Sequence, residues 1–299
     1  MKAHLLCILC TLRAAYSMVK KAVDSEEIQK KAVIEVLKWL SDRAESLTSV
    51  TPAALHTYAF KTVQRISGCR DPFMRLKKMS NNLAMKIVPA LMREINGRAK
   101  DEAIKMAVLG AVCGNSIDFE VEGHCAPIED LERALLNCLR IGLTIDDTDK
   151  LISHLSESRE ILYLLDNAGE IVFDKLLIST ITKSYPVRVV AAVKSGPILN
   201  DATLEDALEV GLDECAEVIT TGSDSVGLDL KEITEEFKKR LKGADLIIAK
   251  GQGYYESLTE LEAILSKPIV YMLRAKCQVV ACSLNVPQGS NIVKFVGKV

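Results

Sequence analysis

The sequence has little that would hold a nucleic acid. Its 299 residues carry 38 basic and 40 acidic side chains, a net charge of −2, so a basic footprint for a phosphate backbone is missing. Aromatic residues are 5% of the chain, with one Trp, too few for a base-stacking platform. No apolar run approaches the ~20 residues needed to cross a bilayer. No Gly-x-x-x-x-Gly-Lys-Ser/Thr occurs, and no Gly-x-Gly-x-x-Gly follows an apolar run, which sets aside P-loop and dinucleotide-dependent chemistry. Low-complexity tracts and internal repeats are absent too. What remains, 48% hydrophobic and 26% charged, is the composition of a soluble globular protein with a large core.

Cysteine is the exception to this scarcity. Nine are present, but the odd count and irregular spacing do not make a disulfide framework. At the N-terminus, "MKAHLLCILCTLRAAY" begins like a signal peptide, yet Arg13 interrupts the apolar run and a charged helical segment follows. We expect a cytoplasmic protein.

The first half reads as helices. Ile28, Ala32, Val33, Val36, Leu37 and Leu40 share a helical face, and Asp24 with Glu27 has the capping-box pattern. Thr51-Pro52 and Asp71-Pro72 each suggest an N-cap followed by proline at the first helical position. Asn96-Gly97 suggests a break. Further helices are expected at about 99–113, 128–140 and 146–157.

From residue 158 short apolar runs alternate with amphipathic segments: 161–165, 187–193, 217–220, 245–249, 268–273 and 292–296. Strands alternating with helices imply right-handed βαβ units and a mostly parallel sheet covered on both faces. The expected architecture is therefore a helical N-terminal domain, 1–97, joined to a Rossmann-like three-layer α/β/α core, 98–299.

In such a sheet, ligands bind beyond the carboxyl ends of the strands. Four strand ends carry polar, glycine-containing or cationic loops: "DNAGE" (166–170), "KSGPILNDAT" (194–203), "KGQGYYE" (250–256) and "RAK" (274–276). Asp166, Asn167 and Asp201 offer oxygen donors suited to a hard divalent ion. The plainer reading is that they cap the following helices. Lys250 precedes Gly251 and Gly253, whose amides could approach an anion, although a glycine turn with a solvated lysine is the simpler account. Arg274 and Lys276, two apart at a strand end, would point the same way. A metal held by acids, facing lysines that hold an anion, is the equipment of phosphoryl chemistry. In "GAVCGNSIDFE", Asn115 and Asp118 are three apart, as a substrate contact or simply a helix end. Cys7 and Cys10 form a CxxC pair: redox couple, half a metal site completed by Cys69, His124 or Cys125, or buried inert thiols.

"GNSIDF", "DNAGEIVFDKLLI", "GPILNDAT", "KGQGYYE" and "LRAKC", spread over about 105–285, together resemble the damage-control phosphatase family. The "CILC" at 7–10 is similar to the CxxC mark of its archaeal and bacterial subfamily. The resemblance implies a metal-dependent phosphatase that clears phosphate from damaged or surplus phosphometabolites, sugar phosphates or nucleotides, with Mn²⁺, Ni²⁺, Co²⁺ or Mg²⁺. It implies Asp166, Asn167 and Asp201 as metal ligands and Lys250 and Lys276 as phosphate contacts. Gly251, Glu170, Asn115 and Asp118 are taken as substrate contacts in the same motifs. Tyr254 departs from the family's usual Asn. Attack by metal-activated water is expected, since an acyl phosphate on Asp166 normally wants an acid two residues on, and position 168 is Ala. The alternatives are a non-catalytic phosphometabolite binder, separable by turnover of an aryl phosphate, and an S-adenosylmethionine-dependent carboxyl methyltransferase. The expected partner is a small phosphorylated metabolite, with no nucleic acid and no membrane.

Overall fold

The computed structural model describes residues 1–115, 120–121, 124–125 and 128–297. Three N-terminal helices, α1 (Leu5–Ala22), α2 (Glu26–Asp42) and α3 (Pro52–Ser67), pack on one another. Ala15, Val36, Leu40, Leu55 and Ala59 make one shared apolar cluster. The buried stripe of α2 is narrower than the sequence suggests: Ala32, Val36 and Leu40 are enclosed, while Leu37 is 49% exposed. Ser25, rather than Asp24, caps this helix, its hydroxyl accepting from Ile28 N–H. Thr51 caps α3 with Pro52 in the first turn, as expected. Asp71-Pro72 instead forms a turn, Asp71 accepting from Phe73 N–H before α4 (Met74–Ile95) begins. Asn96 ends α4, and Gly97 follows at φ 81°.

Helix α5 (Lys100–Gly114), a two-residue hairpin of β1 (Glu120–Val121) with β2 (His124–Cys125), and α6 (Ile128–Ile141) lead into the sheet. A disulfide joins Cys113 of α5 to Cys138 of α6. The irregular cysteine spacing had given no sign of this pair, because the two helices meet only in the folded chain.

The seven sheet strands are β3 (Ile145–Asp146), β4 (Glu160–Leu164), β5 (Arg188–Val193), β6 (Glu217–Thr220), β7 (Leu246–Lys250), β8 (Ile269–Arg274) and β9 (Asn291–Val296). Their order is β3-β9-β8-β7-β4-β5-β6, parallel throughout except for the β8–β9 pair. All six strands expected from the apolar runs are present. The seventh, β3, is two residues long and precedes α7 (Thr148–Glu157), where the sequence pattern suggested helix alone. The fold class is thus α/β with a mostly parallel sheet.

Alternate residues of β4 serve opposite layers, as the two-residue period of a strand requires. Ile161, Tyr163 and Leu165 join the cluster beneath α4, α5 and α8 (Glu170–Ser184). Leu162 and Leu164 join the cluster beneath α10 (Glu235–Gly243), α11 (Gly251–Leu258) and α13 (Gln278–Leu284). The chain runs outward from β4 through β5 to β6, then returns to build β7 and β8 on the other side of β4. That reversal opens a crevice at the carboxyl ends of β4, β5 and β7.

Candidate active site

Leu165 extends the β4 ladder by one bond, its N–H reaching Ala192 O at 3.0 Å. The chain then turns, and the loop after β4 is stitched to the loop after β5 by the main chain. Ala202 N–H donates to Asp166 O at 2.7 Å and Ala168 N–H to Asn200 O at 2.9 Å, so Asn167 and Asp201 face each other as an antiparallel bridge. These contacts bring Asp166, Asn167 and Asp201 together through backbone bonds alone. Gly169 (φ 80°) makes the turn into α8 and donates its N–H to Asn81 Oδ1 of α4 at 2.7 Å.

Two amides fasten the acids. Asn115, at the end of α5, donates from Nδ2 to Asp166 Oδ2 (3.2 Å) and Glu170 Oε2 (2.7 Å). Asn167 Nδ2 donates to the same two oxygens, at 2.7 and 3.1 Å. Burial, then the charges of Glu170 and Asp201, push the Asp166 carboxyl well above the usual carboxylate range. Burial pushes Asp201 up to about 6, with Lys194 pulling the other way. Gly251 sits at φ 77°, and a Cβ there would fall on the Asp166 carboxylate. The first glycine of "KGQG" is therefore required by its contact with an acid.

Lys250 is where the geometry departs from expectation. A strand-end lysine was expected to face an anion; instead it is 0% exposed. Its Nζ donates to Asp174 Oδ1 (2.7 Å), Glu170 Oε1 (2.9 Å) and Ala111 O (3.1 Å). Tyr163 OH also donates to Asp174 Oδ1, at 2.7 Å. Burial opposes the ammonium, but Asp174 and Glu170 outweigh it and hold Lys250 above the ordinary lysine range. Glu170, whose charge burial likewise opposes, is held below the usual range chiefly by Lys250.

A cavity of about 280 Å³ opens onto the acids, lined among others by Asp166, Asn167, Asp201, Lys276, Cys7 and Cys10. Lys276 is exposed at its mouth. Lys250, Gly251, Glu170 and Asn115 lie behind the lining, supporting it. Asp118 and the side chains of His124 and Cys125 lie outside the described residues. Tyr254 is buried, with Lys194 Nζ 4.2 Å from its ring centroid.

Sequence reasoning missed several participants. Lys194 is buried 3.7 Å from Asp201 and donates to Gly227 O at 2.5 Å. It directly follows β5, the same signal that drew attention to Lys250. Asp174 follows Glu170 by one helical turn, which could have marked it. Glu256, in the cavity lining, ends the "KGQGYYE" stretch, which could have marked it. His56, also in the lining, and Asn81 carry no local signal.

Among the described residues, no three His, Cys, Asp or Glu side chains are grouped as metal ligands. The groups that do converge are two carboxylates and the Asn167 amide, which turns its Nδ2 to Asp166; a flip of that amide would present its oxygen instead. After burial, the charges of Glu170 and Asp201 raise the proton affinity of Asp166, and a cation beside these carboxylates would offset that repulsion. The set fits a hard divalent ion rather than a thiolate-bound zinc.

The profile of the damage-control phosphatase ARMT1-like domain matches residues 3–292. An uncharacterised protein of Methanocaldococcus jannaschii is 39% identical, over 96% of this chain and 93% of its own. A damage-control phosphatase of Archaeoglobus fulgidus is 36% identical, over 99% of this chain and 100% of its own. The crystal structure of a DUF89 family protein from Pyrococcus horikoshii superposes with a TM-score of 0.88 at 34% identity, covering 98% of both chains. No helix among the described residues is long and apolar enough to cross a membrane. With the motifs, the strand-end geometry and the full-length likeness in accord, this chain belongs to the damage-control phosphatase ARMT1-like family.

Proposed function

We propose that this chain is a metal-dependent phosphomonoesterase acting on a small phosphorylated metabolite in the cytoplasm, with Asp166, Asn167 and Asp201 holding the cation. The observation that carries this reading is the convergence of those three side chains and Lys276 on one cavity at the switch point of the sheet. A divalent ion (Mn²⁺, Ni²⁺, Co²⁺ or Mg²⁺) supplies Lewis acidity toward the phosphoryl oxygen when bound.

The chain's own residues do the rest. Asn115 fixes the Asp166 carboxylate, and Lys250 holds Glu170 in place as the next layer. Lys276, free to extend at the mouth, meets the phosphate dianion as a point charge. On the opposite wall, His56 is kept neutral by burial. Burial pushes Glu256 up to about 7, against a 2.9 Å bond from Gln252 Nε2. Glu256, in its protonated form, is the proton donor beside the place where a leaving alcohol would depart, and neutral His56 is a proton acceptor on the same wall. A cavity of about 280 Å³ suits a metabolite rather than a polymer.

The test is a phosphatase screen over a panel of phosphorylated metabolites and one aryl phosphate. Each divalent metal is added in turn to chelator-stripped protein. Turnover restored by a divalent ion supports the reading; undiminished turnover after exhaustive metal removal sinks it. Binding of phosphometabolites without any turnover would make the chain a sensor instead.

A further inference from the structure

The CxxC pair has no part in this chemistry, yet it lies at the cavity. Cys7 and Cys10 are one turn apart in α1, and both line the cavity, as does Cys277 at the start of α13. The same lining contains Asp166, Asp201 and Lys276. All three thiols are free. Two are engaged: Cys7 Sγ accepts from His4 N–H at 3.3 Å, and Cys277 Sγ from Gln252 Nε2 and Val280 N–H, both at 3.5 Å. Cys10 is exposed and accepts no hydrogen bond among the described residues.

We infer that Cys10 and Cys277 are a reversible oxidation site that ties one wall of the catalytic cavity to the other, with Cys7 as the thiol that reopens it. Val279, two residues after Cys277, packs against the cluster that contains Cys7, so the start of α13 lies against α1 where Cys10 and Cys277 share the cavity lining. The oxidant is a peroxide or a low-molecular-weight disulfide. With hydrogen peroxide, the two thiols give up two electrons and two protons, one S–S bond forms, the O–O bond breaks, and two waters leave. Reopening is thiol–disulfide exchange. The Cys7 thiolate attacks Cys10 sulfur, the Cys10–Cys277 bond breaks, and Cys277 leaves as a thiolate that takes up a proton. An external dithiol then reduces the Cys7–Cys10 bond.

Burial lifts the thiols of Cys7 and Cys10 above the ordinary range, so both rest protonated and react slowly. The site would ignore traces of oxidant and answer sustained exposure. Closure would act on catalysis through Lys276, the neighbour of Cys277, by tethering its loop to α1 and narrowing an already small cavity. This effect on turnover rests on the proposed phosphatase reaction.

Reduced protein, freed of reductant, is treated with hydrogen peroxide and split. One half is mapped by non-reducing peptide mass spectrometry. The other is assayed with p-nitrophenyl phosphate and added Mn²⁺. We expect a Cys10–Cys277 linked peptide, a fall in turnover of about tenfold or more, and recovery of both on adding dithiothreitol. Cys10→Ser and Cys277→Ser should keep the reduced activity and resist peroxide; the serine at 277 retains an acceptor for Val280 N–H. Cys7→Ser should close normally and reopen more slowly. An oxidised protein with no linked peptide, or a linked peptide with unchanged turnover, overturns the inference. The peptide map is read without turnover, so failure of the phosphatase reading and failure of the thiol bridge are told apart.

Discussion

At the scale of single residues, two kinds of charge share the site and answer mutation in opposite ways. Lys250 neutralises Glu170 and Asp174 where no water reaches any of the three. Replacing it with Ala leaves two buried carboxylates facing an empty space. The cost of breaking a buried pair this way is about 3–5 kcal/mol, so the urea midpoint should fall sharply. A Lys250→Ala protein of unchanged midpoint with lost phosphate affinity would return that side chain to the substrate. Asp166 is the reverse case, since burial, Glu170 and Asp201 all raise its proton affinity. Asp166→Asn or Asp201→Asn should lower turnover about a hundredfold or more. In metal-free buffer the melting temperature holds or rises for Asp166→Asn and falls for Asp201→Asn, which leaves buried Lys194 without its carboxylate. A divalent ion at a hundred times its dissociation constant should stabilise the parent by about 2.7 kcal/mol and leave both variants unmoved. Variants with parental turnover and metal response would reduce these acids to helix caps.

At the scale of elements, the loop after β4 is held from outside the sheet by α4. Asn81 accepts from Gly169 N–H and donates to Asp206 Oδ1 at 3.0 Å and Glu209 Oε2 at 3.2 Å. One amide thus links α4, the acid-bearing loop and α9 (Leu204–Glu209). Asn81→Ala orphans the buried Gly169 N–H, which costs about 1–3 kcal/mol. Turnover should fall in step with the loss of loop position; hydrogen exchange at Gly169 matching the parent would contradict this. None of this was legible in the sequence, because an amide on an amphipathic helix looks the same whether it faces solvent or a loop 88 residues away. The strands were legible, since parallel strands buried on both faces read as unbroken apolar runs. The direction of β9 was not, because the same apolar run serves a parallel or an antiparallel partner. Strand-end position put Asp166 and Asp201 where they line one cavity, but gave no sign that Lys250 is buried. Whether a terminal lysine turns inward depends on the acids beneath it, and Asp174 sits on a different element.

At the scale of the whole molecule, stability and the cavity are coupled through Glu256. Its carboxyl is raised from 4.5 to about 7 by burial, with Gln252 and the Met1 ammonium opposing. The folded chain therefore binds a proton there more tightly than the unfolded chain does. The stability this provides is complete below about pH 4.5 and is lost as the pH rises through about 7. Glu256→Gln should lose less stability than the parent between pH 5 and pH 8, by up to about 3 kcal/mol. Identical melting curves for parent and variant across that range would place the ionised form in contact with water. The cavity wall that contains Glu256 is drawn from both ends of the chain: α1 and α3 on one side, α11 and the segment before α13 on the other. During synthesis, the pair at 166 and 201 leaves the ribosome well before residue 276. A nascent or truncated chain ending before β8 would carry the acids with no lysine at the mouth and only the α11 part of that wall. On the proposed reading, catalytic competence then waits for residues 269–279, and shorter chains leave the cell's phosphate esters alone.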